Sequence, residues 1–285
     1  MSRSSLFLGQ HWNPSELLII SDLDDTLLTS EHEISPENVA AIQRFIDLGG
    51  CFAIASGRSV PPVKRLNIPT NVPSILYNGS VVYDLNQDEV LWKLSLNDSA
   101  ARGLLEDIHQ HFPDAGVEVI TLQGTYVVYP NQETSFHIEL EHISPLAQGC
   151  SISSIQEDWQ KIMIDWAPEQ LAQVKEYLDH RHTEGTLPFH YGYSYPILIE
   201  LTHPDANKGT ALLQLSKLTN VAIDHIIAVG DNMNDAELLE TAGISITPSN
   251  GQSILKERAD YISVDHNQHV MVDLLQQIER SMEGS

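Results

Sequence analysis

Basic residues are scarce in this chain. Fifteen lysines and arginines stand against 39 aspartates and glutamates, for a formal net charge of −24. Nucleic acid and anionic membrane surfaces attract clustered positive charge, so neither is an expected partner. Cysteine is nearly absent. Cys51 and Cys150 make neither a disulfide framework nor a zinc-knuckle spacing. Cys51 opens an apolar run and reads as a small buried hydrophobe. The 13 histidines contain no HExxH or HxxxH pattern; the nearest approach, His180 and His182, reads as a solvated helix end. No apolar run is long enough to cross a bilayer. The opening "MSRSSLFLGQHWNPSE" has too short an apolar patch, and no small-residue cleavage pattern, for a signal peptide. The expected location is the cytoplasm. Internal repeats and low-complexity segments are also missing.

The 285 residues hold one large domain or two moderate ones, and short aliphatic runs alternate with helical stretches. "LLIIS" (17–21), "CFAIAS" (51–56), "PSILYNG" (73–79), "IIAVG" (226–230) and "ISIT" (244–247) read as strands. "SPENVAAIQRFIDLGG" (35–50) has a Ser cap, Pro in the first turn and a Gly stop, and reads as a helix. So do 207–219, 234–243 and 270–280. Continuously aliphatic strands between helices predict an α/β fold, a Rossmann-like doubly wound parallel sheet. The stretch from about Asn86 to about His203 differs. Hairpins are expected around Gln123-Gly124 and Tyr191-Gly192, helices at 97–111 and 168–182, and a strand at "WQKIMIDW". This predicts an α+β domain, 86–203, inserted into a core made of 1–85 and 204–285. The segment 139–154 carries no clear signal.

Ligands of open parallel sheets bind at the carboxyl ends of the strands. Each predicted core strand there is followed by polar residues: Asp22, Asp24, Asp25 and Thr26; Ser56, Gly57 and Arg58; Asn78 and Gly79; and Asp231, Asn232, Asn234 and Asp235. Lys208 opens the later helix. These types suit phosphoryl transfer. Asp22 and Asp231, with a backbone carbonyl, offer the hard oxygen site that Mg²⁺ favours. A carboxylate can also serve as nucleophile. Asp24, two residues on, can act as general acid and then base. Ser56 and Lys208 can hold phosphoryl oxygens. A lysine in a helix's first turn is unfavourable without an anionic partner. Arg58 is open between an ion pair and a substrate contact, and Asn78 between a turn residue and a site residue. Asp25 has no evident chemical task. The aromatics of "FHYGYSY" (189–195) read as hairpin packing.

"DLDDT" (22–26), "SGR" (56–58), "NKGTAL" (207–212) and "GDNMND" (230–235) resemble, in order, the four motifs of the haloacid dehalogenase-like (HAD) phosphatase superfamily. The long insertion resembles the C2-type cap of the Cof-like subfamily IIB. "YNG" (77–79) and "KIMI" (161–164) add local likeness, and the resemblance runs from about Leu17 to about Leu275. It implies that Asp22 is nucleophile and Mg²⁺ ligand. Asp24 would be acid/base and metal ligand through its backbone carbonyl. Ser56, Lys208 and Asn234 would bind phosphate, Asp231 the metal, and Asp235 the metal or Lys208. Apart from the resemblance, Arg58, Asn78 and Gly79 are candidate substrate-binding residues by their place after the predicted strands. The chain departs from the pattern at Asp25, where Gly is commoner, in "ISITPSNG" (244–251), and in "DHNQHV" (265–270), which lacks a common Asp-Gly.

The expected function is therefore Mg²⁺-dependent hydrolysis of a small phosphomonoester through an aspartyl-phosphate, a sugar phosphate foremost, with the cap closing over the site. Alternatives are a sugar phosphomutase, which needs arginine-rich surfaces where the insertion has only Arg102 and Arg181, a non-catalytic phospho-metabolite sensor, and a phospho-receiver module, which is shorter and lacks the second Asp.

Overall fold

The computed structural model describes residues 12–96 and 98–283. The N-terminal segment read above for a leader thus lies, through residue 11, outside the described residues, as does Asn97 at the start of the helix expected from 97. Residues through Lys93 and from Asn207 onward form one compact unit, and Leu94–Ala206 form another. These joins differ from the expected 86 and 203. Val81–Asp84 and Glu89–Lys93 pair antiparallel with each other, and Val81–Asp84 pairs with Ser74–Leu76, so the hairpin stays with the first unit.

The first unit is built on a five-stranded sheet in the order Tyr261–Ser263, Ile244–Pro248, Ile226–Val229, Leu18–Ser21, Cys51–Ile54, parallel throughout. A bridge between Ala55 and Ile75 brings the Ser74–Leu76 strand beside it. Leu18, Ile19 and Ile20 are fully buried, as strands covered on both faces require. The register sets the site: Ser21 lies opposite both Val229 and Ile54, so Asp22, Asp231 and Ser56 leave the sheet at one edge. The Pro36–Asp47 helix starts on a Ser35 side-chain cap and packs against the Val270–Glu283 helix. The Lys208–Thr219 helix starts on Asn207, whose Oδ1 accepts from Thr210 N at 2.7 Å, and ends at Asn220 in the left-handed region. Leu212 and Leu215 join Ile20, Ala53, Ala228 and Leu238 in the core. The sheet's edge strand Tyr261–Ser263 and the Ser253–Arg258 helix are too short to leave a periodic signature in the sequence.

The second unit is a six-stranded sheet in the order His190–Tyr195, Leu198–Thr202, Trp159–Asp165, Gly116–Thr121, Thr125–Tyr129, Ala147–Gln148. All pairings are antiparallel except the last. Val117, Val119, Ile162, Ile164, Ile199 and Leu201 form a core with Leu104, Leu105, Leu171 and Val174 from the Asp98–His111 and Pro168–Thr183 helices. The hairpin expected at Tyr191-Gly192 instead turns between Tyr195 and Leu198; Gly192 sits mid-strand, paired with Glu200. A helix absent from the sequence reading, Gln132–Leu140, packs against Gly116–Thr121. Among the described residues no helix is long and apolar enough to cross a membrane.

Candidate active site

Asp22 follows the central strand directly, and its own N–H still continues the sheet by donating to Val229 O at 2.9 Å. Its carboxylate Oδ1 accepts from Lys208 Nζ at 2.6 Å. The same ammonium donates to Asp235 Oδ1 at 2.6 Å. Lys208 and Asp235 are fully buried and Asp22 nearly so. The other Asp235 oxygen accepts from the backbone N–H groups of Asp231 and Asn232, both at 3.1 Å. Asp235 thus fixes the loop after the Ile226–Val229 strand and orients the lysine at once. Asp231 Oδ1 accepts from the buried hydroxyl of Thr26 at 2.9 Å. Thr26 belongs to the first acidic motif, but its bond to a residue 205 positions away carries no sequence signal.

Charge is unbalanced here. Asp22, Asp231 and Asp235 present carboxylate oxygens within 4.8 Å of one another, against one ammonium. Burial and the neighbouring Asp235 push the Asp22 carboxyl well above its ordinary range, although Lys208 pulls the other way. Burial, then Asp235, pushes Asp231 up to about 6. Burial disfavours the charged lysine, but Asp22 and Asp235 outweigh it and hold Lys208 above the usual range. Carboxylates forced toward protonation for want of positive charge are the donor set a divalent cation satisfies. The cluster can hold a metal ion.

Asp24 points elsewhere. Its carboxylate sits in the fork of Arg58, with Nε to Oδ2 at 3.0 Å and Nη2 to Oδ1 at 2.6 Å. His32 Nδ1 lies 3.7 Å from the same Oδ1. Ser56 is buried, and its Oγ accepts from Arg58 N at 3.1 Å. Asn78 donates its backbone N–H to Ser56 O at 3.1 Å, and its Oδ1 accepts from Asn234 Nδ2 at 3.4 Å. Asn78 therefore links the motifs around Ser56 and Asp231.

The turn that carries Asn78 is unusual: Tyr77, Asn78 and Gly79 all have positive φ, at 54°, 54° and 92°. For a buried tyrosine this conformation is an outlier held by its surroundings. Gly79 shows the reason for the tightness. A Cβ there would lie 2.1 Å from Asn207 O and 2.7 Å from Lys208 N. The turn is pressed onto the start of the helix that carries Lys208, and only glycine fits. Asp25 also lies in the left-handed region, at φ 54°, and its carbonyl accepts from Asn250 Nδ2 at 2.7 Å. That backbone conformation is why glycine is at home at this position; the carboxylate itself is exposed.

The sequence matches the model of the haloacid dehalogenase-like hydrolases over residues 19–275. It is 25% identical to a 5-amino-6-(5-phospho-D-ribitylamino)uracil phosphatase of Bacillus subtilis, covering 91% of this chain and 97% of that one. A crystal structure from Thermotoga maritima superposes with a TM-score of 0.82 at 24% identity, over 92% of this chain and 97% of the other. A structure described as a HAD subclass IIB sugar phosphatase superposes at 0.74 with 16% identity, over 92% and 99%. The chain therefore belongs to the haloacid dehalogenase-like hydrolases, alongside relatives that are phosphatases.

Proposed function

We propose that this phosphatase is a Mg²⁺-dependent phosphomonoester hydrolase working through an aspartyl-phosphate on Asp22, with a small sugar phosphate or related metabolite as substrate. The observation that carries this is the buried Asp22–Lys208–Asp235 chain of 2.6 Å bonds beside Asp231. It supplies a positioned carboxylate, an ammonium for phosphoryl oxygens and an unbalanced acidic pocket. An Asp22 oxygen attacks phosphorus, the bond to the leaving oxygen breaks, and Asp24 gives that oxygen a proton. Asp24 then takes a proton from water, whose oxygen attacks phosphorus, breaks the bond to Asp22 and releases inorganic phosphate. Ser56, Lys208 and Asn234 hold the phosphoryl oxygens. Arg58 holds both Asp24 oxygens and so orients the carboxylate that gives and takes the proton. Bound Mg²⁺, held by Asp22, Asp231 and the Asp24 carbonyl, would offset charge on the transferring group. Both oxygens of Asp235 are already engaged, which supports a positioning role over direct ligation. Asn78 and Gly79 shape the border of the site.

The inserted unit is assigned the role of a C2-type cap that selects the leaving group. Its two arginines are engaged within it, Arg102 on the carbonyls of Ile152 and Ile155 and Arg181 on Asp107. This favours hydrolysis over a phosphomutase, which must retain a bisphosphate. The relatives' names favour phosphorylated sugars and sugar alcohols as the first substrates to screen. The test is hydrolysis of an aryl phosphate with Mg²⁺, with and without EDTA. Turnover should need the metal and fall at least ~10³-fold in Asp22→Asn. Undiminished turnover in that variant overturns the mechanism.

A further inference from the structure

A second group of potential metal ligands lies wholly inside the Leu94–Ala206 unit. Glu118, on Gly116–Thr121, and Asp165, at the end of Trp159–Asp165, lie on the sheet face opposite the helix-covered core. The Gln132–Leu140 helix covers this face and sends His137 down onto it. One ligand atom from each of the three lies within 4.8 Å of the others. Glu118 and Asp165 have no exposed surface, and His137 is 9% exposed. His137 Nδ1 lies 2.9 Å from Glu118 Oε1.

The independent observation is Asp165. Fully buried and aimed into this group, it has no hydrogen-bond partner on either carboxylate oxygen among the described residues, and Glu118 Oε2 has none there either. An unpaired buried carboxylate is among the costliest groups a fold can hold. A cation bound among the three groups gives these orphaned oxygens a partner. Two ligands on opposite sides of a first-row ion, each ~2.1 Å away, stand about 4 Å apart, beyond hydrogen-bond reach but inside the observed spread. A metal-bound imidazole is neutral, so in that state the two carboxylates leave two negative charges for a dication to offset.

The surrounding structure holds the ligands in place. Asn131, the N-cap of the His137 helix, donates to Asp165 O at 2.7 Å. A Cβ at Gly116 would lie 2.5 Å from Asn131 Oδ1 and 2.5 Å from Thr134 Cγ2, so this glycine lets the helix start press onto the strand. The nearby Lys161 is engaged by Glu200 at 2.9 Å.

We propose that Glu118, His137 and Asp165 form a structural site for a first-row transition dication, with Zn²⁺ the natural probe, that staples the Gln132–Leu140 helix to the sheet. The imidazole separates it chemically from the all-oxygen cluster around Asp22, which suits a harder ion. The proposal does not depend on the phosphatase mechanism.

The test uses the full chain carrying Asp22→Asn and Asp231→Asn, so that the other acidic cluster is disarmed. Zn²⁺ titrated against a chromophoric chelator should bind at one equivalent and raise Tm by several degrees. Mg²⁺ at millimolar concentration should not displace it. Adding Asp165→Asn, which keeps the shape, or His137→Gln should each weaken binding at least ~10-fold and abolish the Tm shift. X-ray absorption of the Zn²⁺-loaded parent gives a readout that needs no further variant to fold: imidazole and oxygen scatterers without sulfur. Failure to bind an equivalent of Zn²⁺, binding unaltered by both substitutions, or a spectrum without imidazole overturns the proposal.

Discussion

Replacing Lys208 with methionine keeps most of the side chain's volume and removes its charge. In the folded protein the ammonium makes two 2.6 Å bonds, to Asp22 and to Asp235, out of contact with solvent. Its loss strands two buried carboxylates, and removing one partner of a buried ion pair costs about 3–5 kcal/mol. The cost depends on pH in a definite direction. Burial already raises Asp22, and removing the lysine takes away what was lowering it. A carboxyl whose folded pKa lies above its unfolded value destabilises the fold as pH rises through that interval and is harmless below it, where both states are protonated. Lys208→Met should therefore be about 3–5 kcal/mol less stable than wild type at pH 7.5 in EDTA, and within about 1 kcal/mol of it near pH 4, each pH unit in between accounting for at most about 1.4 kcal/mol per proton. Urea unfolding followed by circular dichroism at the two pH values measures this. Adding Asp235→Asn to Lys208→Met should recover part of the loss at pH 7.5. A deficit below about 1 kcal/mol at pH 7.5, or one equal at both pH values, would refute the view that Lys208 neutralises a buried carboxylate pair.

Asp231 gives a companion titration. With its pKa pushed up to about 6, mainly by burial, the metal-free wild type should lose stability between about pH 4 and pH 6. In EDTA, Asp231→Asn should come close to wild type only near pH 3 and exceed it at pH 7.5 by up to about 3 kcal/mol, the gap opening as pH rises; an unchanged gap in urea unfolding would contradict this. Gly79→Ala should cost about 3 kcal/mol or more and lower kcat, because its Cβ overlaps the Asn207 carbonyl as well as straining φ, and thermal melting reads the first effect directly. Arg58→Lys should fall nearly as far in kcat as Arg58→Ala, roughly tenfold, because a single ammonium does not reproduce the fork on Asp24; full activity in Arg58→Lys would count against a bidentate role. Asp25→Gly should keep its activity within about twofold and lose no stability, while Asp25→Val should lose about 1–2 kcal/mol to the left-handed backbone.

The parallel sheet and the acidic edge were legible because each core strand is a pure aliphatic run that stops abruptly at polar residues. Ser21, opposite Val229 and Ile54, turns that punctuation into a common edge. Asp25, which has no chemical task in sequence terms, becomes intelligible as a backbone position. The inserted unit was harder to read for physical reasons. Gly192 reads as a turn in sequence, yet it is an open place in a strand where, among the described residues, nothing lies within 4 Å of where a Cβ would stand. The Gln132–Leu140 helix leaves Phe136 and Leu140 about half exposed, so no apolar stripe announces it. Its start was signalled only by Asn131 and Thr134, which cap each other's backbone N–H groups. Glu118, His137 and Asp165 obey no spacing rule, since three separate elements bring them together.

The strand pairing that joins Leu18–Ser21 to Ile226–Val229 also has a consequence for biosynthesis. The first half of the phosphatase core leaves the ribosome long before its partner strand exists; Lys208 follows Asp22 by 186 positions. The inserted unit is continuous in sequence and has its own core, so it can fold during that wait. Until the C-terminal strands arrive, Leu18–Ser21 is an aliphatic edge with no neighbour on one side, which is the surface that chaperones and aggregation compete for. Asp22, the one acidic residue after this strand that ends up buried, has its ammonium partner only once Lys208 has been made.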